Sequence, residues 1–147
     1  MLLISHRGNI TGKNKNLENT TDYILNAINL GYNVEIDVWN IKGKWYLGHD
    51  NPDNKIDISF LRNNLLWCHA KNLDALAHMV SDRNIHCFWH EDDKATLTTE
   101  NFLWTFPGET LYNNSISVLP EICGQTKEAL YEKQISGICS DYIGDYK

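Results

Sequence analysis

The stretch Val34-Glu35-Ile36-Asp37 decides the predicted fold, because an apolar strand-like run ends there in two ionisable residues. Leu2-Leu3-Ile4 ends in the same way, in His6-Arg7-Gly8. Sheets of the βα-barrel type gather their functional residues at the carboxyl ends of the strands. The two stretches together therefore predict a barrel-like sheet with a site at one end.

Four further stretches repeat this pattern. Each is an apolar run that passes into polar or ionisable residues: Leu65-Leu66-Trp67-Cys68 into His69-Ala70-Lys71, Ile85-His86-Cys87-Phe88-Trp89 into His90-Glu91-Asp92, Ile116-Ser117-Val118-Leu119 into Pro120-Glu121, and Gly137-Ile138-Cys139 into Ser140-Asp141. We expect all six strand ends to face one site.

Strand and helix patterns alternate along the chain. Strand patterns cover 2–5, 33–39, 65–70, 85–90, 101–106, 115–119 and 136–140. Helical spacing runs from Thr20 or Thr21 to Gly31, from Asn72 onward, and over 126–133. A complete eight-fold barrel typically needs about 250 residues, and the later connectors are too short for crossover helices. The predicted fold class is therefore α/β, a compact, incomplete TIM-like (β/α) barrel with about seven main strands and few helices.

The composition predicts one domain over residues 1–147. The chain is 42% hydrophobic and 22% charged, which is enough apolar material for a core. Its net charge of -6, without clustered Lys and Arg, argues against a nucleic-acid partner. The first residues already form a strand pattern, and no apolar stretch is long enough for a signal or membrane helix. We expect no membrane insertion.

The four cysteines indicate the compartment. Cys68, Cys87, Cys123 and Cys139 lack CxxC spacing, and three of them lie inside strand patterns. Buried, reduced thiols are the expectation for such positions, which favours a cytoplasmic location. An open barrel edge is a liability that a homodimer could cover.

Glu35 and Asp37 predict a metal site. Two residues apart on a strand, their carboxylates project from the same face, where they repel each other unless a cation lies between them. A hard divalent cation, Mg²⁺ or Ca²⁺, is the first expectation. Two solvated acids at an exposed strand edge are the alternative.

Two histidines favour the metal interpretation. His6 directly follows a strand pattern, and His49 follows a hairpin arm between Gly48 and Asp50. Histidines near a metal can act as base and acid in phosphodiester cleavage, and Arg7 could bind a phosphate oxygen. Each histidine could instead form hydrogen bonds only within its own loop.

Several motifs in order resemble the amino-terminal signature of the glycerophosphodiester phosphodiesterase family. These are His6-Arg7-Gly8, Leu17-Glu18-Asn19-Thr20, Ala27, Gly31, Glu35-Ile36-Asp37-Val38 and Gly48-His49-Asp50, and Gly137-Ile138-Cys139-Ser140-Asp141-Tyr142 resembles the closing strand of the family. The resemblance covers the first third of the chain well. It implies a TIM-barrel-type, metal-dependent hydrolase acting on a small glycerophosphodiester or a phosphodiester-linked saccharide.

The same resemblance implies roles for individual residues. His6 and His49 would be the acid/base pair, with Asp50 supporting His49, and Glu35 and Asp37 would bind the metal. Glu18-Asn19 would hold the loop after the first strand, with Glu18 as a partner of Arg7. A hydroxyl next to the phosphate would attack it, and water would open the resulting cyclic phosphate.

One motif departs from the family pattern. The family usually has Glu-x-Lys at the end of a later strand, where this chain has His69-Ala70-Lys71. Lys71 would then keep its role of facing phosphate, while His69 as the third ligand would favour Mn²⁺ or Zn²⁺. Glu91 or Glu121 could instead supply the missing carboxylate.

Three further strand-end residues are candidates for the site. His90 could donate to phosphate or bind the metal, Trp104 could stack on a sugar or glycerol, and Asp141 could orient a catalytic histidine. His90 could instead belong to a solvated turn, and aromatic residues at positions like that of Trp104 more often pack in the core or at the rim. Asp141 could instead cap a turn.

Two other functions stay open at this point. A phospholipid-directed lyase similar to the related phospholipase D toxins would want a membrane-facing apolar loop and disulfides, and neither is evident. A catalytically weak or inactive protein that binds a phosphorylated ligand is favoured by His69 and by the small size. It is disfavoured by the joint presence of His6, His49, Glu35 and Asp37.

Overall fold

The computed structural model describes residues 1–147 and contains ten strands and four α-helices. The strands are β1 (Leu2–His6), β2 (Asn33–Ile41), β3 (Lys44–Leu47), β4 (Asn54–Ile56), β5 (Leu66–Ala70), β6 (Cys87–Phe88), β7 (Ala95–Leu97), β8 (Leu103–Thr105), β9 (Ser115–Val118) and β10 (Gly137–Ser140). The α-helices are α1 (Thr21–Asn29), α2 (Ile58–Leu61), α3 (Leu73–Ser81) and α4 (Lys127–Glu132), and 3₁₀ turns cover Pro120–Cys123 and Ile143–Tyr146.

Seven parallel strands form the main sheet, in the spatial order β6-β5-β2-β1-β10-β9-β8. Apart from the antiparallel additions, strands that follow one another in the chain are neighbours in this sheet, except for β6 and β8, which form its two ends. The hairpin strands β3 and β4 extend β2, and β7 pairs with β8, all antiparallel. β6 and β8 do not pair with each other. The architecture is a mixed α/β, partly closed sheet, compatible with an incomplete barrel.

Aromatic side chains show that the sheet curls. Phe88 on β6 and Trp104 on β8 belong to opposite ends of the strand order, yet their ring centroids are 4.6 Å apart. Trp67 on β5 lies 5.9 Å from Trp104. A core cluster that includes Ile4 and Ile116 continues across this inner face. Large rings therefore fill the space that the curled sheet encloses.

The opposite face of the sheet carries the larger core. Val34, Ile36 and Val38 on β2 point to this face because side chains alternate along a strand. α1 covers them with Ile24 and Ala27. α3 begins at the cap Asn72, whose side chain accepts a hydrogen bond from the Ala75 amide, and it adds Met79. β2 therefore presents apolar side chains to the outer face of the sheet and ionisable side chains to the inner face.

The seven main strands and three of the helices lie where the sequence predicts them. The structure adds β4, α2 and β7 in segments that have no clear periodicity, and β6 shortens to two residues. All four cysteines are free, with Cys123 exposed and the other three buried. No helix is both long and apolar enough to span a bilayer.

His86, just before β6, makes the fold sensitive to acid. Its side chain packs 4.2 Å from Trp67, is 5% exposed and leaves Nε2 without a hydrogen-bond partner. Burial lowers the pKa of His86 from 6.5 to about 4. The unfolded chain therefore binds more protons between these two pH values, so the free energy of unfolding falls as pH decreases from 6.5 to 4.

Between pH 6.5 and pH 4, we expect the free energy of unfolding of the His86→Phe protein to fall by roughly 2 kcal/mol less than that of the wild type. Urea unfolding at a series of pH values measures this difference, and the exposed His78→Phe protein is the control. Equal losses in all three proteins would show that His86 is not held neutral by burial.

Candidate functional site

Strand register alone brings the ionisable residues together. His6 on β1 lies opposite Glu35 on β2, and Asp37 on β2 lies opposite His69 on β5. Partners across parallel strands project from the same face, here the inner one. The alternation within the Glu35-Ile36-Asp37 triplet thus places two carboxylates between two histidines.

Asp37 is the most heavily contacted member of this group. Its side chain is fully buried, Oδ2 accepts a hydrogen bond from Asn19 Nδ2 at 2.9 Å, and Arg7 Nε lies 2.8 Å from the same oxygen. The Arg7 contact is an ion pair in which the N–H bond is not directed at the oxygen. Burial raises the pKa of Asp37, but His49, His69 and Arg7 outweigh burial and hold that pKa well below its usual range. Asp37 is therefore a carboxylate at neutral pH.

Two buried carboxylate oxygens face the inside of the site without a hydrogen-bond partner. They are Glu35 Oε2 and Asp37 Oδ1. Glu35 is 1% exposed, so water cannot readily satisfy it. Such unpaired, buried oxygens are what a cation site requires.

His69 faces both carboxylates with one ring nitrogen. Its Nε2 lies 2.7 Å from the backbone carbonyl oxygen of His90, and a carbonyl can only accept, so Nε2 donates. Nδ1 then lies 3.4 Å from Asp37 Oδ1 and 3.5 Å from Glu35 Oε1. Burial lowers the pKa of His69, but Asp37 and Glu35 outweigh it and raise the pKa to about 9. Nδ1 therefore carries a proton or offers its lone pair to a metal.

Glu35, Asp37 and His69 together can hold a metal ion. One ligand atom from each lies within 4.8 Å of the others. A histidine ligand whose second nitrogen donates to a carbonyl is the usual arrangement at protein metal sites. The unpaired oxygens and the oriented imidazole thus fit a divalent cation.

His6 approaches Glu35 from β1, which lies on the other side of β2 from β5. Its Nδ1 donates to Asp141 Oδ1 at 2.7 Å, which leaves Nε2 facing Glu35 Oε2 at 3.8 Å. Burial raises the pKa of Asp141, but the hydrogen bonds from His6 and Asn9 and the charges of His6 and Arg7 together outweigh burial, and the pKa lies below its usual value. Glu121 accepts a hydrogen bond from the Asp141 amide and so fixes the end of β10.

Arg7 turns the chain at the end of β1. Its backbone is in the left-handed region, with φ 56°, and its amide donates to the Glu35 carbonyl. The guanidinium lies between two carboxylates, with Nη1 3.5 Å from Glu18 Oε2. This places the expected partner Glu18 against Arg7, within the loop that connects β1 to α1.

His49 reaches the group from the hairpin that follows β3. Its Nδ1 lies 3.5 Å from Asp37 Oδ2, and its side chain is 44% exposed. Gly48 precedes it with φ +153°, and a Cβ there would lie 1.9 Å from the Asn51 carbonyl oxygen, so only glycine fits. Asp50 is 3.7 Å from His49 Nε2 but is almost fully exposed. Lys71 Nζ lies 3.7 Å from Asp37 Oδ1.

Several sequence-based candidates lie away from this group. The side chain of His90 turns to the Asp93 carbonyl, and only the backbone of His90 reaches the site. Trp104 is 3% exposed inside the curled sheet, so the structure gives it a core position in place of a ligand-stacking one. Glu91 is exposed, and neither it nor Glu121 belongs to the candidate metal group.

Asn9 is a site residue that sequence reasoning missed. Its fully buried Nδ2 donates to Asp141 Oδ1 and to Glu18 Oε1, both at 2.8 Å, and so joins the His6 and Arg7 sides of the site. It lies in an asparagine-rich loop, where one asparagine carries no distinguishing sequence signal. Asn19 also contributes more than loop support, because its Oδ1 accepts from the Asp37 amide.

A cavity of about 390 Å³ opens beside this group. Arg7 and His49 line it, and both also contact Asp37. The cavity therefore adjoins the carboxylate group through Arg7 and His49, whereas Glu35, Asp37 and His69 do not line it.

Comparisons with models of known protein families, with curated proteins and with solved structures find no match to this chain.

We expect Glu35→Gln to weaken Mn²⁺ binding by at least about a hundredfold, because even residues behind metal ligands typically contribute tenfold to hundredfold. Isothermal titration calorimetry of Mn²⁺ measures this. Glu128→Gln, an equal charge change on the exposed face of α4, should bind as the wild type does. Unchanged affinity in Glu35→Gln would contradict a metal site at these carboxylates.

Proposed function

We propose that this protein is a divalent-metal-dependent phosphodiester hydrolase on an incomplete TIM-like barrel, related to the glycerophosphodiester phosphodiesterases that its motifs resemble. One observation carries the proposal. The unpaired oxygens of Glu35 and Asp37 meet Nδ1 of His69, while His6 and His49 approach the same two carboxylates from either side. The arrangement combines a cation site with two candidate proton carriers.

The ligand set favours particular metals. Two carboxylates suit Mg²⁺, whereas the imidazole of His69 adds preference for Mn²⁺ or Zn²⁺ over Ca²⁺. When bound, such a cation would neutralise charge on the phosphate oxygens during cleavage. Arg7 and Lys71 would complement it, since each provides a fixed positive charge next to Asp37.

The surroundings of the two histidines favour different roles. His6 is buried, and Asp141 fixes its Nδ1 as the donor, so Nε2 is free to accept the proton of the attacking hydroxyl. His49 is half exposed at the cavity, where it would donate a proton to the departing alcohol oxygen. The new P–O bond forms as the bond to the leaving alcohol breaks, which gives a cyclic phosphate that water then opens.

We expect His49→Ala to reduce cleavage of glycerophosphoglycerol by about 10² to 10⁴-fold, the usual contribution of a general acid. The loss should be much smaller for the p-nitrophenyl ester of glycerol phosphate, because p-nitrophenolate leaves without a proton. His6→Ala should slow both substrates alike. Initial rates with Mg²⁺ or Mn²⁺ measure these ratios.

The exposed His78→Ala protein is the control and should retain both activities. Equal losses of His49→Ala on both substrates would contradict the acid role. A wild-type protein that binds glycerol phosphate without cleaving either ester would favour the alternative, a phosphate-binding protein on the same fold.

A further inference from the structure

The cavity beside the carboxylate group is lined mainly by polar side chains. None of the eleven residues that line it is hydrophobic. Ligand cavities of drug-sized molecules span about 300–1,000 Å³ and are mostly apolar, so a cavity of about 390 Å³ without a hydrophobic side chain is unusual. Such a lining favours a polar group over an acyl chain as the bound group.

One wall of the cavity holds two lysines without partners. Lys13 and Lys15 line the cavity from the β1–α1 loop and form no ion pair within 4.0 Å, in contrast to Arg7. The loop backbone between them is fixed, because the Asn14 amide donates to buried Asn9 Oδ1 and the Gly12 amide donates to the Asp141 carbonyl. The two ammonium groups are therefore unpaired and belong to a loop whose backbone is held by hydrogen bonds.

The part of the lining that comes from the hairpin is rich in hydrogen-bonding groups. It is formed by the hairpin residues Asp50, Asn51, Asp53 and Asn54. Amides and carboxylates of this kind bind hydroxyl groups. Glu18, the remaining acid of the lining, is already engaged by Arg7 and Asn9 and does not neutralise the lysines.

We infer that the cavity binds a polyhydroxylated group carrying a second negative charge, with its hydroxyls toward the hairpin and its anion on Lys13 and Lys15. The inference rests on the proposed function and deepens it. The phosphodiester would lie at Glu35, Asp37 and His69, and the group that leaves toward His49 would be a sugar or polyol phosphate.

The test compares two probes that differ by a single phosphate. Inositol 1-phosphate and inositol 1,4-bisphosphate are titrated calorimetrically into the full-length protein with Mg²⁺ present. We expect the bisphosphate to bind about tenfold more tightly, as a charge-assisted contact allows. The Lys13→Gln/Lys15→Gln protein should reduce this preference to within about twofold.

Lys42→Gln/Lys44→Gln is the matched control, since it removes two exposed lysines at the same spacing, one in the β2–β3 turn and one at the start of β3, both outside the cavity. It should keep the tenfold preference. Equal affinity of the wild type for both probes, or a preference that survives Lys13→Gln/Lys15→Gln, would overturn the inference. Absence of phosphodiester cleavage with the lysine-dependent preference intact would overturn the proposed function alone.

Discussion

The structure depends on the burial of two carboxylates side by side on the inner face of β2. Glu35 and Asp37 are at most 1% exposed, and buried charge is stable only when it is paired or bound to a metal. Arg7, His69 and Lys71 supply the compensating charge around Asp37. Each of them comes from the end of a strand that adjoins β2 or from the loop just after it.

This constraint explains the unusual local geometry around β2. Arg7 reaches Asp37 from a left-handed backbone conformation, and the loop behind it is held by Asn9 and Asn19. The hairpin after β3 needs a glycine at 48 to deliver His49 to the same carboxylate. Meanwhile the ring of Trp104 fills the curled sheet against that of Phe88, which compensates for the missing pairing between β6 and β8. A chain of 147 residues can thus build a barrel-like site without a complete ring of helices.

The sequence predicts the strands and the charged ends because both follow from local pattern. Alternation fixes the face of Glu35 and Asp37, and parallel register then places His6 and His69 beside them. The segments β4 and β7 could not be predicted, because three residues without a clear periodicity become a strand only when a neighbouring strand pairs with them. The choice between core packing and ligand stacking for Trp104 could not be made from the sequence for a related reason, since its burial depends on how far the sheet curls. The role of Asn9 could not be predicted, because one of its partners, Asp141, is distant in the sequence.

The most direct test of the metal site is anomalous diffraction from crystals grown with Mn²⁺. One strong peak is expected, bound by Glu35, Asp37 and His69 Nδ1, with Nε2 of His69 still donating to the His90 carbonyl. Mg²⁺ and Ca²⁺ offered in turn would then show how far the imidazole sets the choice of metal. A crystal grown with Mn²⁺ that gives no peak at these three residues would contradict a metal site there, because the buried carboxylates would then be compensated by protein charges alone.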